Sequence, residues 1–254
     1  MIDRTLIFDV GARAGDDTAF YLKRGFKVVA IDAAPGRCAA LSARFAEEID
    51  AGRLEVLNLG VAEASGFIDV PLDMASPLRR RIGSPRGGAV RAARTARAPA
   101  EPLSELFHEF GTPHYCKIDL SGAGLVALRS LEGLAELPPH LSLESDRRSW
   151  DGLVQEFIAL GDLGYRRFKL VNQSLVPFQI PPEPALEGMT CDHAFEPGSS
   201  GLFGEDLSGR WLDAFEAIEA YKTVFLGYVL NSQSARQRDP QLPPPDIYDT
   251  HAAL

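Results

Sequence analysis

Residues 5–18, TLIFDVGARAGDDT, decide the fold of this chain. Residues 5–8 are a short apolar stretch with no break, which predicts a buried parallel strand. Gly11 and Gly15 lie in the turn that follows, where the lack of a side chain lets the backbone approach a ligand closely. Residues 18–24 predict a helix capped by one of the two aspartates before it, with unpaired N–H groups at its start. A strand, a glycine turn and a helix in this order form a nucleotide-binding element.

The glycine spacing indicates which ligand this element binds. Arg13 stands where the dinucleotide pattern G-x-G-x-x-G has its second glycine, and Asp9 ends the strand. An Asp-x-Gly-x-x-x-Gly arrangement suits a ligand that presents an amino acid and a sulfonium, which is S-adenosylmethionine. We expect four residues of this element to bind it: Asp9, Gly11, Ala12 and Gly15. The alternative is a turn that joins strand and helix without binding a ligand.

A second acidic strand end supports the same interpretation. Residues 27–32 predict another buried strand, and Asp32 follows Gly11 by 21 residues. In such folds an acidic residue about 20 positions after the glycine turn binds the ribose hydroxyls. A carboxylate suits this task because it accepts two hydroxyl hydrogen bonds at once. The alternative role of Asp32 is to cap the helix predicted over residues 35–48.

Several segments together resemble the FkbM-type S-adenosylmethionine-dependent methyltransferases. They are residues 8–18, 29–35, 58–61, 115–123 and 165–171, and residues 198–211 resemble a block found in part of that family. The resemblance covers roughly residues 5–220. It implies methyl transfer from S-adenosylmethionine, usually to a hydroxyl oxygen of a natural product or a sugar. It also implies that Asn58 and Gly60 lie near the adenine of the cofactor.

The order of the elements predicts the fold class. Strands and helices alternate up to residue 59, which indicates a parallel sheet with helices on both faces. With the resemblance, this predicts an α/β, Rossmann-like class I methyltransferase fold with a mostly parallel seven-stranded sheet. Residues 165–171 are expected to be the sixth strand and residues 174–180 the antiparallel seventh. We expect one domain over residues 1–230, with a possible dimer face at the end of its last helix, and a Pro-rich, disordered tail over residues 231–254.

Acidic residues at the ends of two further strands are the candidates for catalysis. Asp119 and Glu144 end the fourth and fifth predicted strands, where they face the same crevice. Asp119 is expected to orient the acceptor hydroxyl, take its proton or hold a metal, and Glu144 is expected to face the acceptor. His114, just before the fourth strand, is a candidate general base. The histidines show no H-x-x-x-H or similar ligand pair, so no metal ligands are assigned among them.

The chain departs from the family's pattern at the expected site. The family usually has an acidic residue at the position of Ser121, often another at Gly124, and an asparagine at Arg13. These departures leave two alternatives to an active methyltransferase. One is a protein that binds S-adenosylmethionine but is inactive or performs other chemistry, and the other is a non-catalytic partner protein. A nicotinamide oxidoreductase is disfavoured because Arg13 breaks its glycine pattern.

Two loops are predicted outside the regular elements. Residues 73–99 form a basic loop, since residues 74–100 hold seven arginines and no acid in a chain of net charge −9. It is either a lid whose guanidinium groups bind an anionic substrate or a solvated segment. Nucleic acid is disfavoured as a partner because the rest of the chain is acidic and this loop lacks aromatic residues. Residues 181–210 are a late loop that either covers the substrate pocket or packs across the sheet.

Cysteine use and hydropathy indicate the compartment. The three cysteines show no paired or C-x-x-C spacing, which favours a reducing compartment and argues against a structural zinc site. The chain has neither an 18-residue apolar run nor a basic N-terminal region followed by one. We therefore expect a cytoplasmic protein without a membrane span or signal peptide, acting on a small-molecule acceptor.

Overall fold

The computed structural model describes residues 1–71, 95–120, 122–146, 149–230 and 247–254. The strands are β1 Ile2–Val10, β2 Lys27–Ile31, β3 Leu54–Leu57, β4 Gly60–Val61, β5 Gly66–Pro71, β6 Thr95–Glu101, β7 Thr112–Ile118, β8 His140–Glu144, β9 Arg167–Asn172 and β10 Tyr248–Ala253. The helices are α1 Asp16–Lys23, α2 Pro35–Arg44, α3 Ala46–Asp50, α4 Leu103–Phe110, α5 Gly124–Arg129, α6 Trp150–Asp162 and α7 Ala214–Leu230. None of these described helices is long and apolar enough to cross a membrane.

Seven strands form the large sheet, in the order β3-β2-β1-β7-β8-β10-β9. Only β10 runs antiparallel to its neighbours; the other pairings are parallel. The prediction of an α/β, Rossmann-like class I methyltransferase fold is thereby confirmed. The chain proceeds from β1 to β2 and β3 on one side and to β7 and β8 on the other. The topological switch point therefore lies between β1 and β7, and ligands of such sheets bind there, outside the carboxyl ends of the strands.

The two faces of this sheet carry separate cores. On one face, apolar side chains of the strands pack against helices α4 to α7, as Leu106, Leu153 and Tyr221 do. On the other face, α1 and α2 cover the half formed by β1 to β3. The half formed by β7 to β9 is covered by residues 181–212, which we call the strap. The strap contributes Leu202 and Phe203 to this second core, as expected for a late loop that packs across the sheet.

A small second sheet follows β3, in the order β4-β6-β5. Residues 73–99 were expected to form a basic loop, and this expectation is wrong for residues 95–99, which belong to β6. They pair with β5 in antiparallel register, from Thr95 opposite Pro71 to Pro99 opposite Phe67. This run contains arginine and proline and has no strand pattern of its own. Its strand structure comes from the hydrogen bonds with β5. The rest of the basic loop, residues 73–94, lies outside the described residues.

The seventh strand of the large sheet is not at the predicted place. Gln173–Phe178 is a 3₁₀ helix in which the Asn172 side chain accepts a hydrogen bond from the amide of Ser174, at 2.9 Å, and Pro177 has no N–H for a ladder. The seventh strand is β10, inserted between β8 and β9. The expectation of a disordered tail is therefore wrong for Tyr248–Ala253, whose order comes from the strands on both sides. Residues 231–246 lie outside the described part of the chain.

Candidate functional site

The loops after β1 and β7 touch at the switch point. The amide of Asp119 donates to the carbonyl of Val10 at 2.8 Å. Gly11 has a φ of 81°, and a Cβ on it would lie 2.3 Å from the carbonyl oxygen of Asp119. Glycine is therefore required at position 11 by the close approach of these two loops. A Cβ on Gly15 would collide with Leu41 of α2, so the second glycine of the turn serves helix packing.

Asp32 lies where the sequence predicts a ribose-binding carboxylate. It follows β2 directly, is 6% exposed, and sits beside the turn after β1. Its Oδ1 accepts the amide of Ala34 at 2.8 Å, and its Oδ2 accepts the amide of Arg13 at 3.2 Å. The guanidinium of Arg37 also donates to Oδ2, at 3.2 Å. Helix α2 has Ala34 at its N-cap position, so Asp32 stands just outside the helix and fixes the turn that leads into it.

The other predicted cofactor residues are mostly engaged with the protein itself. The amides of Gly11 and Ala12 both donate to the carbonyl of Ile31, at 2.8 and 3.0 Å. The Asn58 side chain donates to the carbonyl of Asp32 at 3.0 Å, which places it at the same end of the sheet. Gly60 is explained by packing, because a Cβ there would lie 2.1 Å from the end of the Ile68 side chain.

Asp9 belongs to a buried charge cluster beneath the crevice. Its carboxylate is fully buried and accepts from Lys117 at 2.9 Å and from the Thr18 hydroxyl at 2.6 Å. Lys117 also lies 3.0 Å from Asp17, whose other oxygen accepts the amide of Ser200 in the strap. The structure corrects two expectations here. Asp9 pairs with Lys117 instead of facing a ligand. Asp17 also pairs with Lys117 and does not cap α1, because Gly15 occupies the N-cap position of that helix.

Arg13 is the residue that reaches into the crevice. It has a φ of 53°, which a non-glycine residue seldom adopts. Its guanidinium lies 2.5 Å from Asp119 and 3.8 Å from Glu144, and its side chain is 43% exposed. Burial and the neighbouring Glu144 raise the pKa of Asp119, although Lys117 and Arg13 act in the opposite direction. The structure thus brings Asp119 and Glu144 together, and the more exposed side chain of Arg13 contacts both of them.

A third carboxyl group lies below these two. Asp249 of β10 is paired in register with Glu144, and burial raises its pKa well above the usual range. The negative charges of Asp119 and Glu144 raise it further. Asp249 was not predicted as a site residue, because it lies in the segment that was expected to be a disordered tail. Lys117 did carry a signal, since a lysine inside an apolar strand requires buried carboxylates as partners.

The three positions at which the chain departs from the FkbM-type pattern are Arg13, Ser121 and Gly124. Gly124 begins α5, and the Glu156 Oε1 of α6 would lie 3.3 Å from a Cβ at this position. A carboxylate from another helix therefore occupies the space beside Gly124. Ser121 lies outside the described residues. Arg13, at the third departure, pairs with Asp119 as described above.

The structure does not bring His114 to the crevice. His114 lies near the start of β7, whereas Asp119 follows the end of that strand. Five residues of extended strand separate them by roughly 16 Å. His114 contacts Glu187 of the strap instead, with 2.6 Å between its Nε2 and the carboxylate. This placement corrects the expectation that His114 acts as the general base beside Asp119.

The chain is similar in structure to several solved methyltransferases. Methyltransferase FkbM from Methylobacillus flagellatus is 21% identical over 68% of this chain and 41% of that chain, with a TM-score of 0.48. The precorrin-6y C5,15-methyltransferase from Geobacter metallireducens is 10% identical, with 99% and 80% coverage and a TM-score of 0.42. A SAM-dependent O-methyltransferase from Thermotoga maritima is 8% identical, with 99% and 60% coverage and a TM-score of 0.39.

This chain spans less than half the length of the FkbM structure. At sequence identities this low, the comparison concerns the folds of the proteins and not their activities. No family model matches the chain, and no curated protein matches it.

Proposed function

We propose that this protein is an S-adenosylmethionine-dependent methyltransferase that acts on a hydroxyl oxygen of a small acceptor. The observation that carries the proposal is the position of Asp32. Its buried carboxylate stands at the carboxyl end of β2, beside the Gly11 turn and next to the switch point. A carboxylate offers about four acceptor positions, and the amides of Ala34 and Arg13 and the guanidinium of Arg37 occupy three of them. Asp32 can therefore receive one ribose hydroxyl directly, and a second one where it displaces Arg37.

The charges of the crevice fit the remainder of this donor. S-adenosylmethionine carries an amino acid with both charges and a sulfonium cation, and when bound it supplies an activated methyl group. The crevice has a partly exposed guanidinium, Arg13, for the carboxylate of the donor, and the two acidic side chains beside it, Asp119 and Glu144, favour the donor's net positive charge. A site in which carboxyl groups outnumber cations favours a ligand with a net positive charge.

Asp119 is the proposed base for the acceptor. Methyl transfer to a hydroxyl oxygen requires alignment, exclusion of water and removal of the hydroxyl proton. Asp119 lies at the edge of the crevice, and burial beside Glu144 raises the pKa of its carboxyl group, which makes it a stronger base. Asp119 thus takes the proton onto its carboxylate, while Glu144 lies within reach of the same acceptor.

Thermal unfolding with and without S-adenosylmethionine tests the donor site. A ligand that binds only the folded protein, at about 100 times its dissociation constant, stabilises it by about 2.7 kcal/mol. We expect this shift in the native protein and in Glu55→Ala, which removes an exposed carboxylate from the neighbouring strand β3. We expect it to be lost in Asp32→Ala. A native protein that is folded and does not respond to millimolar ligand would refute the proposal and favour a non-catalytic partner protein.

A second candidate is a protein that binds S-adenosylmethionine without transferring its methyl group to the usual acceptors. It is favoured by the 2.5 Å contact of Arg13 with Asp119, which engages the proposed base. Transfer of a radiolabelled methyl group to a panel of hydroxyl, carboxylate and phosphate-bearing hydroxyl compounds separates the two. Labelled product that disappears in Asp119→Asn supports the methyltransferase, whereas a thermal shift with no product from any acceptor supports the second candidate.

A further inference from the structure

Two histidines and one glutamate converge at the amino ends of β7 and β8. His140 is the first residue of β8 and lies opposite Tyr115 in the register with β7, so His114 is its near neighbour. Glu187 reaches this point from the strap. The ligand atoms of the three side chains all lie within 4.8 Å of one another. This cluster is at the opposite end of the strands from Asp119 and Glu144, and the proposed methyl transfer does not use it.

The carboxylate of Glu187 turns one oxygen towards each histidine. The Nε2 of His114 lies 2.6 Å from one carboxylate oxygen of Glu187, and the Nε2 of His140 lies 3.4 Å from the other. Tetrahedral zinc, with bonds of about 2.0–2.2 Å, holds its ligand atoms about 3.4 Å apart. The His140 distance already has this value. The shorter His114 distance is that of a hydrogen bond, in which a proton stands between two atoms that a metal ion would bridge.

Glu187 is held in place by the strap. Its Oε1 accepts the amide of Glu205 at 2.9 Å, and its own amide lies 3.3 Å from an oxygen of Asp206. A Cβ on Gly204 would lie 2.2 Å from Oε1, so a glycine makes room for the carboxylate. These contacts hold the carboxylate in a fixed position, where Glu187 is only 5% exposed.

The two imidazole rings are fixed as well. His114 lies parallel to the ring of Phe26, with centroids 6.0 Å apart, and His140 lies nearly parallel to Trp211, at 6.1 Å. The Nδ1 atoms of both rings are buried and have no hydrogen-bond partner among the described residues. Both rings present Nε2 to the carboxylate, so a metal ion would bind at Nε2 and each ring would carry its proton on Nδ1.

We propose that His114, His140 and Glu187 form a mononuclear site for a divalent transition-metal ion, with zinc as the best fit and water as the fourth ligand. Two imidazoles and one carboxylate are a ligand set that zinc accepts with one open position. The site joins the first residues of two central strands to the strap. Because metal-binding free energy adds to folding free energy, the ion fastens the strap to the sheet.

Metal titration of the full-length protein, treated with a chelator and then freed of it, tests the proposal. We expect one zinc ion per chain, measured by competition with a chromogenic chelator. We expect Glu187→Gln and the double variant His114→Gln/His140→Gln to weaken binding by at least 100-fold. His108→Ala, which removes an exposed histidine of α4, is the matched control and is expected to bind as the native protein does.

Two further measurements, of metal selectivity and of zinc binding by a donor-site variant, complete the test. The Irving–Williams order predicts tighter binding of zinc than of manganese, and bound cobalt is expected to show a nitrogen- and oxygen-ligated spectrum without a thiolate band. Asp32→Ala is expected to bind zinc normally, which separates this site from the donor site. Absence of stoichiometric binding by folded native protein, unchanged affinity in the variants, or a thiolate band would each overturn the proposal.

Discussion

One face of the large sheet packs against helices α4 to α7, whereas the other face, over β7 to β9, packs against the irregular strap. The helical face is apolar, as Leu106, Leu153 and Leu160 illustrate. The strap face buries charged and polar groups, among them Lys117, Lys169 and His251. Apolar side chains require only filled space, so an amphipathic helix suffices to cover them. Buried charges require partners placed one at a time, because an unpaired polar group in the interior costs free energy.

The strap provides such partners from its backbone and its carboxylates. The Lys169 ammonium donates to the carbonyl of Leu207 at 2.5 Å. The amide of Ser200 donates to Asp17 at 2.8 Å, and Asp206 pairs with the fully buried Arg24. In a helix these backbone groups hydrogen-bond within the helix, except at its ends. An irregular segment leaves them free, which explains why the polar half of the sheet is covered by a strap.

The largest effect is expected from Lys117→Met. This change leaves Asp9 and Asp17 buried side by side without a cation, and loss of one partner of a buried charge group costs roughly 3–5 kcal/mol. Burial already raises the pKa of Asp17 against the opposing effect of Lys117. The folded variant then holds more protons than the unfolded chain above pH 4, so its stability falls as pH rises. Urea unfolding at pH 5 and pH 8 is expected to show a larger loss at pH 8.

Leu160→Ala on the helical face is the matched control for that comparison. Leu160 is fully buried in the apolar core, and its truncation costs about 3 kcal/mol through lost burial and a cavity. Its cost is expected to be the same at pH 5 and pH 8, because no charge is involved. Equal pH dependence of the two variants would contradict the account of Lys117 as the cation that neutralises Asp9 and Asp17.

A smaller effect on the strap face is expected from His251→Phe. Burial lowers the pKa of His251 to about 3, with the charges of His140 and Lys169 acting in the same direction. The unfolded chain, with a histidine pKa near 6.5, then binds the extra proton between about pH 3 and 6.5. The native protein therefore loses stability as pH falls through this window, by about 2 kcal/mol between pH 7 and 5 from this group.

Phenylalanine keeps an aromatic ring in place of the one stacked on Tyr115 but cannot titrate. Between pH 7 and pH 5 the native protein is therefore expected to lose about 2 kcal/mol of unfolding free energy that the variant keeps. Chemical unfolding at both values measures it. A difference that does not change with pH would show that His251 is not held neutral.

The same contrast explains which features the sequence could predict. The positions of β1, the Gly11 turn, β2 and Asp32 depend on local apolar runs and spacing, and the structure has them where they were predicted, while their cofactor-binding roles stay predictions. Strand β10 owes its order to β8 and β9 on either side, and its six residues include Asp249, Thr250 and His251, so the local pattern was too polar to predict it. Local pattern reading fails where a segment gains its structure from distant partners.

The site shows the same division. Asp119 and Glu144 were predicted because each ends a strand, and parallel strand ends meet at one edge. Arg13 was recognised as a departure from the glycine pattern, but its contact with a residue 106 positions away depends on the close approach of the loops at Gly11. His114 was grouped with the acids from its nearness in sequence, although the length of β7 separates them. Its actual neighbour, Glu187, depends on the course of the strap, which has no periodic signal.

The smallest and most specific effect is expected from Arg13→Ala, which changes the charge balance at the open end of the sheet. Removing the guanidinium 2.5 Å from Asp119 removes one of the two cations that lower the pKa of that carboxyl group. The pKa of Asp119 then rises, because the carboxylate loses an opposite charge that is itself 43% exposed. If Asp119 takes the acceptor proton, the acidic limb of the rate–pH profile moves to higher pH by the same amount.

Single-turnover methyl transfer between pH 5 and 9, with saturating S-adenosylmethionine, measures this shift. Arg13→Lys restores a cation and is expected to restore most of the native profile, while Arg37→Ala, whose guanidinium contacts Asp32, is expected to weaken donor binding without moving the limb. A lower rate with an unmoved limb in Arg13→Ala would mean that Asp119 is not the titrating base. The acidic end of the sheet would then serve the charge of the donor, and Arg13 would act on binding alone.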